Sequence, residues 1–202
     1  APETVSVSAA VADAIRSVEL DPTVATVGSH SYPNVNGTIQ LDAAIVEVSP
    51  GRHRCGAVMA LEGYPGAIDA AFAVMESCQH RILVGSGAKA FLESEGFHPS
   101  VAPIPTALER PVAVLPEEDA GRPQPQPGDD HDTVGIIAVR NGVLSVGCST
   151  SGKRAKLSGR VGDSPIFGSG LYAEPGVGGA VATGDGDKIC SFPLTFSAVS
   201  LM

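Results

Sequence analysis

The sequence predicts an α+β fold, on three observations. Two pairs of apolar, β-branched runs are spaced as hairpins, residues 38–48 with 55–61 and 134–139 with 143–148. Segments with the three- and four-residue spacing of amphipathic helices stand before and after the first pair. A polar, proline-rich stretch then separates the two hairpins, so the chain reads as two joined halves.

Composition narrows the class further. At 202 residues the chain can bury a substantial core within one domain. Its 43% apolar and 17% charged content excludes global disorder. No apolar run reaches the ~18–20 residues of a membrane-spanning helix. A net charge of −9 argues against nucleic acid, whose phosphates need a basic surface. Cys55, Cys78, Cys148 and Cys190 are too scattered for a disulfide scaffold, and no pair has zinc-knuckle spacing. The opening segment APETVSVSAAVADAI lacks the basic and apolar regions of a secretory signal, which would have to lie upstream of Ala1.

Each element follows in order. Residues 8–19 put Ala10, Ala14 and Val18 one helical turn apart, with Val11 and Ile15 beside them, and Asp21-Pro22 stops that helix. Residues 23–37, rich in Gly, Ser, Asn and Pro, are loop. The strand at 38–48 mixes alternation with wholly apolar stretches. A second helix fits 66–78, with Ile68, Phe72 and Met75 on one face. A short strand at 82–84 precedes a helix from Lys89 that Gly96 terminates. Gly85, Gly87 and Ala90 match a dinucleotide-binding G-x-G-x-x-A spacing. The second strand and acid of such a site would fall in proline-rich sequence, so the match reads as a glycine-tolerant turn.

Seven of the sixteen prolines lie between Pro103 and Pro127, and a flexible linker is expected over 102–131. Apolar sequence resumes at Thr133, and Asn141-Gly142 supplies the hairpin turn. Charge divides at the same place: residues 1–132 carry −11 and residues 133–202 carry +2, with the cations clustered at Lys153, Arg154, Lys156 and Arg160.

The informative constellation is HDTVGIIAV, residues 131–139. Were the Asp132–Thr133 bond cut, Thr133 would hold a hydroxyl and a free α-amine on adjoining atoms. An α-amine titrates near pH ~7.7–8.0, so it can act as general base to that hydroxyl. On its own, a threonine opening a strand is ordinary β-propensity. Likewise Arg160 and Asp163, three apart in a Gly-Pro turn, fit a local surface ion pair. Thr183 and Gly184 in TGDGD fit a turn, Thr150 a strand-end hydroxyl, and Asp132 one more solvated acid after Asp129 and Asp130.

The ordered motifs change that balance. HDTVGIIAV, GCSTSG, GRVGDSPIFGSGLYA and ATGDGD, after VELDPTVATVGSHSYPNVNGTIQLDA, CGAVMALEG and HRILVGSGAKAFLESEGF, closely resemble the glycosylasparaginase branch of the amino-terminal-nucleophile hydrolases. The branch includes plant-type asparaginases and isoaspartyl peptidases, and the resemblance covers all but the linker. It implies a four-layer αββα sandwich with the nucleophile at the start of a central strand. It also implies a precursor that cleaves itself into an α chain of residues 1–132 and a β chain from 133 to 202, together one domain. Asp132 at the cleavage site would take the proton from Thr133, the histidine-aspartate pair before the threonine resembling glycosylasparaginases rather than plant-type enzymes.

By the same resemblance Thr133 is the catalytic nucleophile and Thr150 orients it. Arg160 clamps the substrate α-carboxylate and Asp163 holds its α-ammonium. Thr183 and the Gly184 N–H form the oxyanion hole. The implied substrate is a small molecule, N4-(β-N-acetylglucosaminyl)-L-asparagine, with asparagine or a β-aspartyl peptide as the alternative and an inactive remnant as a further one. No metal or organic cofactor, nucleic acid or membrane is implied; an (αβ)2 assembly is. The resemblance points to a lysosome or periplasm, while the unpatterned cysteines leave a cytoplasmic setting open. Family members usually carry a strand and a tryptophan-containing segment ahead of residue 8 and further elements after residue 202, so the chain is expected to be shortened at both ends. Two further departures touch the site. A substrate-facing serine falls on Tyr32, next to Ser31, and Cys148 and Ser151 replace the usual threonine and asparagine around Thr150.

Overall fold

The computed structural model describes residues 5–99 and 132–202; the linker expected over 102–131 lies outside the described residues. Helix α1 (Val7–Glu19) starts where the Ser6 hydroxyl accepts the Ala9 N–H at 3.1 Å. Strands β1 (Gln40–Ser49) and β2 (Arg52–Glu62) form an antiparallel pair, followed by α2 (Ala67–Ser77), β3 (Ile82–Val84) and α3 (Gly85–Ser94). The second half opens with the hairpin β4 (Thr133–Arg140) and β5 (Val143–Thr150). Asn141 and Gly142, at φ 53° and 77°, make the tight turn that the sequence signals. A small antiparallel pair, β6 (Leu171–Glu174) and β7 (Gly178–Val181), precedes the short helices α4 (Gly186–Ile189) and α5 (Leu194–Ser200).

Five strands form one sheet in the order β3-β2-β1-β5-β4, with β1 at its centre. Alternation along β1 sends Leu41, Ala43 and Ile45 into a core shared with α1 and α2, and Ala44, Val46 and Val48 into a second core with Leu171 and Ala173 of β6. Burial on both faces explains the unbroken apolar run from Ala43 to Val46 in this strand. Helix α1 crosses β5 at Gly147, where a Cβ would stand 2.7 Å from Val11 and Ile15. On the far side of the small sheet, Tyr172 meets Phe196 of α5 edge-on, with ring centroids 5.2 Å apart. The fold is therefore α+β, a central sheet with helices.

Three expectations need correction. The buried stripe of α1 is Val7, Ser8, Val11, Ala12, Ile15 and Glu19, whereas Ala10 and Ala14 are exposed. The large side chains Val11 and Ile15 centre this face, and Glu19 extends it to the start of α2, where it accepts the Ile68 N–H. Helix α3 begins at Gly85 rather than Lys89, because Gly85 adopts φ 49° and swings the chain directly out of β3. Finally, β4 is an edge strand among the described residues, not a central one. Its partner β5 is taken on the other side by β1, leaving Ile137 46% and Val139 72% exposed.

Candidate active site

The ends of β4 and β5 bring the chemistry together. Their register pairs Thr133 with Thr150, and β5 pairs Thr150 in turn with Asp42 of β1. Ladder bonds thus place two hydroxyls at one corner of the sheet. Thr150 Oγ1 donates to the carbonyl oxygen of Asp132 at 2.7 Å and accepts the Gly152 N–H at 3.0 Å. Its hydroxyl therefore polarises the carbonyl of the Asp132–Thr133 bond. Thr133 Oγ1 lies 3.4 Å from Ser164 Oγ, a buried hydroxyl. The Asp132 carboxylate, at the surface, receives the Thr26 hydroxyl at 3.5 Å.

A cleft of about 250 Å³, its open mouth included, is lined by Asp132, Thr133, Thr150, Arg160, Asp163 and Gly184 together with Lys153, Ser164 and three glycines. Six of the seven residues singled out by sequence thus line one cleft. The seventh, Thr183, is exposed beside Gly184 and does not line the cleft. Arg160 donates from Nε (3.0 Å) and Nη2 (2.8 Å) to Asp187 Oδ1, and Lys153 Nζ reaches Asp187 Oδ2 at 2.7 Å and Asp185 Oδ1 at 2.8 Å. The hydrogen bond from Lys153 holds the Asp185 carboxyl down at about 2. Asp163 is buried, its main-chain oxygen accepting the Ile166 N–H in the turn that follows Arg160.

Behind the cleft lies a second, drier set of groups. Ser149 donates to Glu19 Oε1, which also accepts the Ile68 N–H at the start of α2. Burial raises the Glu19 carboxyl to about 7 against those two hydrogen bonds, which pull it down. Asp42 and Lys156 form a buried pair at 3.6 Å, with Lys156 also donating to the Gln40 carbonyl at 3.0 Å. Burial pushes the Asp42 carboxyl up and the Lys156 ammonium down. Cys148, fully buried under the site, has its thiol pushed up to about 12 by burial, which leaves it no thiolate to attack with.

Sequence reasoning missed Ser164, Glu19 and Asp187. Ser164 reads as a turn residue and Glu19 as an exposed helix end; Asp187 lies 27 positions from the arginine it holds. Tyr32, on the position where a serine was sought, stacks under Arg154 at 4.8 Å, and the Ser31 hydroxyl turns away to the Gly28 carbonyl at 2.6 Å. Among the described residues, no group of three or more His, Cys, Asp or Glu is placed to hold a metal ion, and no helix is long and apolar enough to cross a membrane.

The asparaginase family model matches residues 3–202, the Thr133–Thr150 corner and the cleft included. The chain belongs to the asparaginase family. Relatives within it agree. A protein of Elizabethkingia miricola named N(4)-(beta-N-acetylglucosaminyl)-L-asparaginase is 37% identical over 205 residues, covering 96% of this chain and 56% of that one. A Drosophila yakuba protein named putative N(4)-(beta-N-acetylglucosaminyl)-L-asparaginase is 35% identical over 211 residues, covering 88% and 53%. An L-asparaginase-like protein of Drosophila persimilis is 34% identical over 208 residues, covering 87% and 45%. The chain spans about half the length of the curated relatives it matches.

Proposed function

We propose that this asparaginase-family chain is a self-cleaving amidohydrolase whose amino-terminal nucleophile is Thr133 and whose substrate is N4-(β-N-acetylglucosaminyl)-L-asparagine. One observation carries the reading: the Thr150 hydroxyl donates to the carbonyl of the bond that would break, in the same cleft as Arg160 and Asp163. In maturation, Thr133 Oγ attacks the Asp132 carbonyl carbon while the Asp132 carboxylate takes the hydroxyl proton. The Thr150 donor stabilises the oxyanion, and the amide nitrogen departs as the Thr133 amine. Water then hydrolyses the resulting ester, leaving an α chain ending at Asp132 and a β chain beginning at Thr133, folded as one domain.

In turnover the freed amine takes the proton from Thr133 Oγ as that oxygen attacks the side-chain amide carbon of the substrate. The proton passes to the departing glycosylamine, and water releases aspartate from the β-aspartyl ester. Arg160 meets the α-carboxylate and Asp163 the α-ammonium; the Gly184 N–H serves the oxyanion, and Thr183 would join it only by turning in from its exposed position beside the cleft. The packing of α1 and α2, the large sheet, the small sheet and α5 in that order supports the αββα sandwich of amino-terminal-nucleophile hydrolases. An (αβ)2 assembly belongs to the same reading.

Intact mass tests it directly. The purified protein is expected to appear as two chains divided before Thr133, and Thr133→Ala as one inactive chain; cleavage of that variant at the wild-type rate overturns the assignment. With a tyrosine rather than a serine at position 32, substrate preference stays open, and asparagine or a β-aspartyl peptide is the second substrate reading. Relative kcat/KM on glycoasparagine, asparagine and a β-aspartyl dipeptide separates the two.

A further inference from the structure

Arg160 is held in an unusual way for a residue that must receive a substrate. Its Nε and Nη2 both donate to a single oxygen of Asp187, at 3.0 and 2.8 Å. The other Asp187 oxygen is gripped by Lys153 at 2.7 Å. The Asp187 N–H in turn reaches Asp185 Oδ1, the residue that caps α4. Both the backbone and the carboxylate of Asp187 are therefore fixed. The arginine side chain is only 17% exposed against 52% for Asp187, so the carboxylate sits outside and the guanidinium inside.

The opposite end of the guanidinium points elsewhere. Nη1 lies against Gly152 and Gly162, where added Cβ atoms would stand 2.9 and 3.1 Å from it, and both glycines line the cleft. Side chains at either position would crowd that end.

We infer that Asp187 is a positioning residue for substrate recognition: it fixes Arg160 by its Nε–Nη2 edge and so leaves the Nη1 end, kept clear by Gly152 and Gly162, to meet the α-carboxylate of the substrate. This rests on the proposed role of Arg160. An arginine offers a side-on and an end-on face to carboxylates, and a built-in carboxylate on one face decides which is presented. Partial burial of Asp187 opposes its ionisation, but hydrogen bonds from Lys153 and Arg160 prevail and hold its carboxyl below the usual range, so the pair stays charged at neutral pH.

The test is Asp187→Asn, which keeps the shape and removes the charge. We expect maturation before Thr133 by intact mass, KM for glycoasparagine raised about tenfold, and kcat changed by less than about threefold. Preference for that substrate over the analogue lacking the α-carboxylate should shrink by a similar factor. In an Arg160→Ala background the same substitution should add nothing, since its whole effect passes through the arginine. Asp187→Glu moves the charge by one methylene; should the asparagine variant fail to fold, this one carries the test, with KM up about threefold. An unchanged KM, a lowered KM (Asp187 competing with substrate) or an equal effect without Arg160 overturns the inference. A wild-type protein that neither splits nor hydrolyses amides overturns the function proposed above instead.

Discussion

The two walls of the cleft are built on different principles. On one, Thr133 and Thr150 face each other because β4 and β5 share a ladder, and Ser149 behind them is tied to a buried carboxyl. On the other, Arg160 and Lys153 come from loops and are held by charge to Asp185 and Asp187 of a four-residue helix and its cap, outside the cleft lining. The first wall suits bond breaking, where a misplacement of an ångström costs orders of magnitude. The second suits a charged ligand that must enter, be read and leave. Dry groups set by strand register give stiffness; half-exposed ion pairs give exchangeable contacts that water and salt weaken.

Breaking each wall in turn sharpens the contrast. Thr150→Ala removes the donor on the Asp132 carbonyl, and maturation followed by intact mass should slow by ~10²–10³-fold, the typical worth of one oxyanion donor. Thr150→Ser should restore most of the rate; equal rates for the alanine variant and wild type would remove the hydroxyl from the mechanism.

Glu19 probes the dry side through stability. Its carboxyl titrates at about 7 in the folded protein and near its ordinary 4.5 once unfolded, so the folded state binds the extra proton between those values. That contribution is whole below about pH 4.5 and is lost as pH rises through about 7, on the order of 3 kcal/mol. Urea unfolding at a series of pH values should show this decline in the wild type and not in Glu19→Gln; parallel curves would mean that the carboxyl does not titrate in that window.

The smallest effect belongs to the charged wall. Arg160→Lys keeps the charge and loses the fork, so kcat/KM for glycoasparagine should fall about tenfold while maturation proceeds as before. Unaltered kcat/KM would dismiss Arg160 as the carboxylate clamp.

The same division explains what could be read from sequence. The β4–β5 hairpin was legible because β-branched runs joined by Asn141-Gly142 specify their own register, and that register alone carries Thr150 to Thr133. Helix α2 emerged for a similar reason, its apolar spacing being local. Glu19 was not legible, since an acid at a helix end ordinarily faces water. Only the start of α2 and the Ser149 hydroxyl, brought in from far along the chain, make its burial tolerable. The Arg160–Asp187 pair depends on where α4 begins, and no periodicity announces a four-residue helix. The early start of α3 was hidden by glycines that resemble a turn and in fact let the chain reverse sharply into a helix.

The ladder between β1 and β5, running from Asp42–Thr150 to Val48–Leu144, joins strands that lie on opposite sides of the Asp132–Thr133 bond. Cutting that bond would therefore free an end without freeing a fragment. The two polypeptides would remain laced into a single sheet, and the new terminus would be born already seated against the groups that are to use it.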